Sequence, residues 1–433
     1  MKAVILSAGK GTRLRPFTEI IPKPLLSIAG KPLLSYLLEA LPFIGVTEVC
    51  LVVGHAKDKI AAYYGENKPP VSLSYLEQRE QLGTAHALKF AKEFVGTDPF
   101  VLIYGDVLIS QDAWEKLFTV YKEQDAEGLM ALYRVENPGN LGIVKTQGNY
   151  VKEIIEKPEK FPKTALINAG VFILPPTIFK AVEATNASQR GEYELTDSLE
   201  IFMQYGNRLT WHELENWLTI GMPWDLLDAN QTVLSEMAKS VAQAGTSPLK
   251  LEGRIEDGVT LVGPVEIRKN AHIRAGAYII GPTLIDEGAV VGPNCFIRPY
   301  TYIGKGSHIG NACEIKNSII MNNTNVSHLS YIGDSIIGNN CNLGAGTCVA
   351  NLRFDHAPIK VTIKGKPIDS GKEKLGFFMG DNSQTGINVS IMHGLCIGPN
   401  SAVGPGILLQ EDVPPGTLVL KQDSLVKFDN YPR

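Results

Sequence analysis

Residues 273–317 read IRAGAYIIGPTLIDEGAVVGPNCFIRPYTYIGKGSHIGNACEIKN, and an aliphatic side chain falls at every sixth place: Ile273, Ile279, Ile285, Val291, Ile297, Ile303, Ile309, Ile315. Stepping backwards, the series extends through Ile267 and Leu261 to Ile255. Four places after each aliphatic comes a small residue, among them Ala271, Ala277, Thr283, Ala289, Cys295, Thr301, Ser307 and Cys313. A period of six marks a parallel β-helix, in which each hexad is a short strand plus a corner. Three hexads make a triangular coil of about 18 residues, with strands stacked at roughly 4.8 Å. The aliphatic residue points inward, and the small one lets the coil close. A coiled coil would repeat every 3.5 residues and a membrane span would be continuously apolar, so neither fits.

The phase slips by one before Ile320, Val326 and Ile332, and again before Ile337, Leu343 and Val349. Hexads resume at Met379, Thr385, Ile391, Ile397, Val403 and Leu409. At 433 residues the chain exceeds a single core, so two domains or more are expected. A net charge of −4 argues against a polyanion-binding protein and so against a nucleic-acid partner. The opening MKAVILSAGKGTR holds an apolar run too short for a signal peptide or a membrane span, which predicts a cytoplasmic protein with no membrane partner. The six cysteines lack CxxC spacing, and Cys295, Cys313 and Cys341 hold the small-residue position of the hexads. They read as small buried hydrophobes in a reducing compartment.

Before residue 230 strands alternate with helices. Lys2–Leu6, Val49–Val53, Val71–Tyr75 and Phe100–Tyr104 read as strands; Lys31–Phe43, Lys57–Tyr64 and Thr84–Phe94 read as helices. This order predicts a doubly wound, mostly parallel α/β sheet whose ligands sit beyond the carboxyl ends of the strands. Two such ends carry Gly9-Lys10-Gly11-Thr12-Arg13 and Tyr104-Gly105-Asp106. A glycine-rich loop can bring backbone N–H groups close to phosphate, but it is not a Walker A motif, because no GK[ST] follows at the right spacing. Arg13 and Lys23 add fixed cations, Asp106 can hold a hydrated Mg²⁺, and Glu156-Lys157-Pro158 adds an acceptor and a cation. Separately these are a turn residue and solvated charges. Together they suit nucleotidyl transfer, where positioning and charge neutralisation supply most of the rate.

The run LSAGKGTRLRP…PKPL, followed by QREQLGTAHA, YGD, GIV, EKP and NAG, resembles the sugar-1-phosphate nucleotidylyltransferases across residues 1 to about 230. In that family a sugar-phosphate oxygen attacks the α-phosphate of a nucleoside triphosphate, and Mg²⁺-pyrophosphate leaves. The resemblance implies that Gly9, Gly11, Thr12 and Arg13 cradle the triphosphate, with Lys23 at the α-phosphate. It implies base contacts from Gln78, Gly83 and Thr84, and a metal at Asp106. Sugar contacts fall to Gly142, Glu156 and Asn168, with Lys157 near the sugar phosphate. Relatives carry a second metal carboxylate in W-x-D-x-G; here Trp217-Leu218-Thr219-Ile220-Gly221 has Thr219 in that place. Asp225 is the alternative ligand, though it also suits the first turn of a helix expected over 223–244, where the helix dipole favours an acid. Gly245-Thr246-Ser247-Pro248 then reads as a linker, giving domains over 1–230 and 253–433 with a helix and linker between.

Arg298 and Lys316 follow the inward aliphatic on neighbouring coils, so they should stack on one face and repel unless an anion lies between. The phase slips bracket His328-Leu329-Ser330-Tyr331-Ile332-Gly333-Asp334, where a neutral imidazole could take a proton from an amine. Residues 297–351 resemble the acetyltransferase half of the bifunctional N-acetylglucosamine-1-phosphate uridylyltransferase/glucosamine-1-phosphate N-acetyltransferase. That resemblance implies a left-handed β-helix, a homotrimer, and acetyl-CoA as donor. It gives Arg298 and Lys316 as sugar-phosphate binders, His328 as catalytic base, Tyr331, Asn342 and Asn351 as substrate contacts, and Ala345 as the acetyl-CoA contact. Departures are Leu352 for a Tyr, Asp381 for a Ser in the donor region, and a longer insertion, Arg353–Lys374, from which Lys360 could reach the substrate phosphate. The reading is a bifunctional enzyme that acetylates an amino-sugar 1-phosphate and couples the product to UTP or dTTP with Mg²⁺. The alternatives are a single-function thymidylyl-, uridylyl- or guanylyltransferase whose β-helix is structural or regulatory, and a non-catalytic subunit.

Overall fold

The computed structural model describes all residues except 55, 125, 126, 140, 159, 244–248 and 422–433, so the expected linker at 245–248 lies outside the described residues. The chain divides into two compact units. The first comprises Met1–Lys10, Pro22–Leu26 and Pro32–Ile220; the second comprises Gly11–Ile21, Ser27–Lys31 and the chain from Gly221 on.

In the first unit a nine-stranded sheet runs in the order Ser72–Glu77, Glu48–Val53, Lys2–Ser7, Phe100–Tyr104, Thr164–Leu174, Gly128–Glu136, Leu209–Glu213, Tyr150–Ile155, Ile143–Gln147. The first four strands are parallel. Thr164–Leu174 is antiparallel to both its neighbours, so the sheet is mixed rather than mostly parallel. The order runs outward in both directions from Lys2–Ser7, with Glu48–Val53 and then Ser72–Glu77 on one side and Phe100–Tyr104 on the other. Ligands of open α/β sheets sit at such a switch point. The expected helix over 84–94 is two, Thr84–Lys89 and Lys92–Val95, and that over 31–43 narrows to Leu33–Ala40 plus a 3₁₀ turn, Leu41–Ile44.

In the second unit three parallel sheets of eight, nine and eight strands form the faces of a triangular coil, consistent with a left-handed β-helix. Every hexad aliphatic from Ile267 to Leu409 other than Thr385 is buried in one continuous column. Burying each such side chain contributes about 1.5–3 kcal/mol. The phase slips are coils one residue shorter: Val291 pairs with Ile309, but Ile303 pairs with Ile320 and Val326 with Leu343. Small residues close the corners by hydrogen bonding. Ser307 Oγ accepts from the Thr324 amide, whose own hydroxyl oxygen accepts from the Cys341 amide. On the outside Asn323, Asn340, Asn382 and Asn400, all left-handed, hand a carboxamide hydrogen bond from coil to coil. Asparagine tolerates that conformation best after glycine. All six cysteines are free.

Residues 353–374 leave the coil as an antiparallel hairpin, Lys360–Ile363 with Lys366–Asp369. Helix Asp225–Gln243 groups with this unit. Asn230 donates to the Tyr300 carbonyl and accepts from the Ala29 amide, and Asp228 pairs with Lys372. Two early segments join it. Phe17 meets Phe378 edge-on at 6.2 Å, and Gly30 lies so close to Asp286 and Tyr302 that a Cβ would come within 2.8 Å of the Asp286 carboxylate. Among the described residues no helix is long and apolar enough to cross a membrane.

Candidate active sites

At the switch point Leu6 pairs with Tyr104, and the Gly105 amide donates to the Leu6 carbonyl at 2.9 Å. A side chain at 105 would come within 1.9 Å of Ser7 Oγ, so only glycine lets the turn deliver Asp106 to the end of the sheet. A pocket of about 330 Å³ opens there, lined by Gly9, Lys23, Gln78, Gly83, Thr84 and Asp106 among others. Lys23 Nζ sits 2.6 Å from Asp106 Oδ2, both largely shielded from solvent. Gln78 is buried, with its carboxamide nitrogen 3.0 Å from the Gly83 carbonyl and 2.9 Å from His86 Nδ1. Gln81, unremarked in the sequence, donates to the Ala8 carbonyl at 2.6 Å and anchors the glycine loop. Gly11, Thr12 and Arg13 continue that loop but group with the second unit.

Gly142, Glu156 and Asn168 converge in the first unit. The Asn168 amide donates to the Gly142 carbonyl at 2.9 Å, and Glu156 Oε2 lies 3.0 Å from where a Gly142 Cβ would sit. Lys157, left-handed at φ 46°, points its ammonium 3.6 Å from Glu156. Tyr104, also missed from sequence, hydrogen-bonds both Thr84 and Asn168 and so ties the two sets of residues together; burial raises its phenol pKa, so it stays neutral. Arg190 completes the set, 3.6 Å from Glu156 and 2.5 Å from Glu194.

Thr219 lies on a two-residue strand paired with Val107, and the Ile220 amide donates to the Asp106 carbonyl at 2.9 Å. The backbone of Thr219 and Ile220 therefore runs alongside Val107 and Asp106. Asp225 is engaged otherwise: its Oδ2 accepts from the amides of Gly221 at 2.8 Å and Met222 at 2.7 Å. That is the geometry of a carboxylate satisfying backbone donors at a helix start.

On the β-helix, Ile297 pairs with Ile315, which sets Arg298 and Lys316 on one face as the period predicts. Their repulsion is met within the protein rather than calling for a bound anion. Arg298 bonds Glu314 at 2.9 Å, and Lys316 bonds the buried Asp334 at 2.9 Å. Asn351 donates to Asp334 at 2.6 Å and to the Tyr331 hydroxyl at 3.1 Å. Burial and the nearby Asp334 and Glu314 raise the Tyr331 pKa. His328 is exposed at the end of strand Asn325–His328, one coil on from Asn311, and its carbonyl accepts from the Gly346 amide beside Ala345. Asn342 is exposed on the same sheet one coil further. Among the described residues the His328 ring makes no hydrogen bond or ion pair.

The comparisons with known proteins agree with both halves of this description. A family model described as nucleotidyl transferase matches residues 2–236, and one described as the GMPPB C-terminal domain matches residues 279–374. The chain is 48% identical over 430 residues to the bifunctional protein GlmU of Methanococcus maripaludis strain C7, covering 98% of each. It is 42% identical to the GlmU of Methanocaldococcus jannaschii, covering 98% of this chain and 99% of that one. It is 38% identical to the bifunctional sugar-1-phosphate nucleotidylyltransferase/acetyltransferase of Sulfurisphaera tokodaii, covering 95% and 98%. The chain belongs to the GlmU family of bifunctional enzymes. As a GlmU-family protein it is a nucleotidyltransferase and an acetyltransferase, and a single-function reading has no better support.

In this GlmU-family chain the Asp381 carboxylate is buried and has two donors, the amide and carboxamide of Asn339 at 2.9 and 3.1 Å, and among the described residues no cation pairs with it. Burial raises its pKa. A raised carboxyl pKa means the fold prefers the proton, so this group stabilises the fold below its ordinary pKa and loses that contribution as pH rises. Asp381→Asn should therefore raise Tm above neutrality, by roughly 2–4 °C per kcal/mol regained, with the gain shrinking towards pH 4. Calorimetry across pH checks this, and a gain that does not vary with pH would assign it to packing instead.

Proposed function

We propose that the chain acetylates glucosamine-1-phosphate with acetyl-CoA, then couples the product to UTP or dTTP with release of pyrophosphate. Acetyl transfer is assigned to the β-helix from residue 253 and nucleotidyl transfer to residues 1–230, in a cytoplasmic homotrimer. The observation that carries this reading is the meeting of Lys23 and Asp106 in one pocket at the sheet's switch point, together with the Arg298–Lys316–Tyr331–Asn351 row on a separate body.

In the pocket, Lys23 neutralises phosphate charge and the loop amides at Gly9 to Arg13 orient the triphosphate. Mg²⁺ fits the donor set in a limited sense. Among the described residues no three acidic, His or Cys side chains cluster, so the protein offers Asp106 and the substrate phosphates supply other oxygens. When bound, the ion neutralises charge developing on the leaving pyrophosphate. On the β-helix, Arg298 can leave its half-exposed pair with Glu314 at little cost, since such pairs contribute only about 0–1 kcal/mol. Lys316 is held by Asp334 and so stays aimed. His328 takes the proton that leaves the amine as it attacks the thioester.

The test is to supply purified protein with acetyl-CoA, several amino-sugar phosphates and the nucleoside triphosphates, reading thiol and pyrophosphate release separately. Absence of thiol release with glucosamine-1-phosphate would overturn the acetyl-transfer half. Thr219→Asp should lower the Mg²⁺ concentration needed for half-maximal pyrophosphate release, on the order of tenfold. If that variant changes nothing and Asp225→Ala abolishes the reaction, Asp225 holds the metal.

A further inference from the structure

A second cavity, of about 560 Å³, lies wholly among residues of the second unit. Thr12, Arg13, Arg15 and Glu19 line one side; Thr362–Gly365 at the tip of the insertion hairpin line another; Cys396, Gly398 and Asp412–Pro415 form the rest. Its size falls within the range of small-molecule sites. Its acidic groups are already engaged. Glu19 pairs with Arg15 at 2.9 Å. Asp412 accepts from the Cys396 amide at 2.7 Å and from the Thr362 hydroxyl. Among the described residues neither Arg13 nor Lys364 has an ion pair, so the uncompensated charge on this wall is positive. Ile363, Val413, Pro414 and Pro415 give the cavity an apolar side. Lys364 stands exposed at the hairpin tip, with its backbone at φ 50°.

Two unpaired cations facing a cavity with one apolar side suit a phosphoryl group attached to a sugar or a base. We propose that this cavity is a separate binding site for a phosphomonoester, and that its ligand engages Arg13 and so weakens triphosphate binding. The effect on catalysis rests on the nucleotidyl-transfer reading of Arg13; the site itself does not.

The test titrates the full-length protein calorimetrically with AMP and, separately, with glucose 6-phosphate, phosphomonoesters that neither proposed reaction consumes. One of the two should bind at one site per chain, and which one binds distinguishes a nucleotide from a sugar phosphate. Lys364→Asn, which suits the left-handed tip, and Lys364→Glu should each weaken that binding about tenfold or more. Lys23→Ala should bind as wild type does. The bound ester should raise the KM for nucleoside triphosphate in wild type but not in Lys364→Asn, whose kcat/KM without the ester stays at the wild-type value. Failure of both probes to bind, binding that survives Lys364→Glu, or binding lost in Lys23→Ala would each overturn the site. Pyrophosphate release absent altogether, with Lys364-dependent binding intact, would refute the nucleotidyl reading and leave the site standing.

Discussion

An Asp106→Ala protein should release pyrophosphate at least about 10²–10³-fold more slowly than wild type while releasing thiol from acetyl-CoA at the wild-type rate. The carboxylate owes its position to the strand Phe100–Tyr104 and to Gly105, whose missing side chain lets the turn pass Ser7. It is the carboxylate that Lys23 contacts in the pocket. Removing it takes away a metal ligand and also leaves Lys23 without its partner. Asp106→Asn separates these effects, because the amide can still accept from Lys23 but no longer offers a full charge to Mg²⁺. If pyrophosphate release survives in both variants, Asp106 is only a turn residue.

His328→Ala should lose roughly 10²–10⁴-fold in acetyl transfer, the range for removing a general base. The attacking amine is mostly ammonium at neutral pH, so a proton must leave before or during attack. An exposed imidazole with no partner of its own among the described residues is available to take it. Nucleotidyl transfer to an already acetylated sugar phosphate should be unchanged. Arg298→Ala should mainly raise the sugar-phosphate KM, since its pair with Glu314 is half-exposed and exchangeable. The deciding measurement is thiol release by His328→Ala at saturating substrate; near-wild-type release would reduce the histidine to part of the coil surface.

The β-helix was legible because its period is its structure: each hexad aliphatic needs the same inward column, so spacing alone places it. The phase slips were equally visible, as coils one residue short. What escaped were pairings set by stacking. Lys316 is in register with Gly333 because the coil here is one residue short, so Asp334 stands one place past the stacked position and spacing alone does not pair it with the cation. In the first unit Tyr104, Gln81 and Arg190 were missed because their partners come from distant strands and loops, which local pattern does not encode. The antiparallel Thr164–Leu174 was missed for a related reason, since an apolar run says nothing about direction.

Phe17 against Phe378 and Gly30 against Asp286 and Tyr302 have a consequence for how such chains can be recombined. These two early segments flank Lys23 in sequence, yet they pack as part of the β-helix body. A gene fusion that joined the first 230 residues to a foreign coil would keep every nucleotidyl-transfer motif and still lose the surfaces on which Phe17 and Gly30 rest. A cut in sequence at residue 230 is therefore not a cut in the fold: Phe17 and Gly30 must be inherited with the coil they pack on.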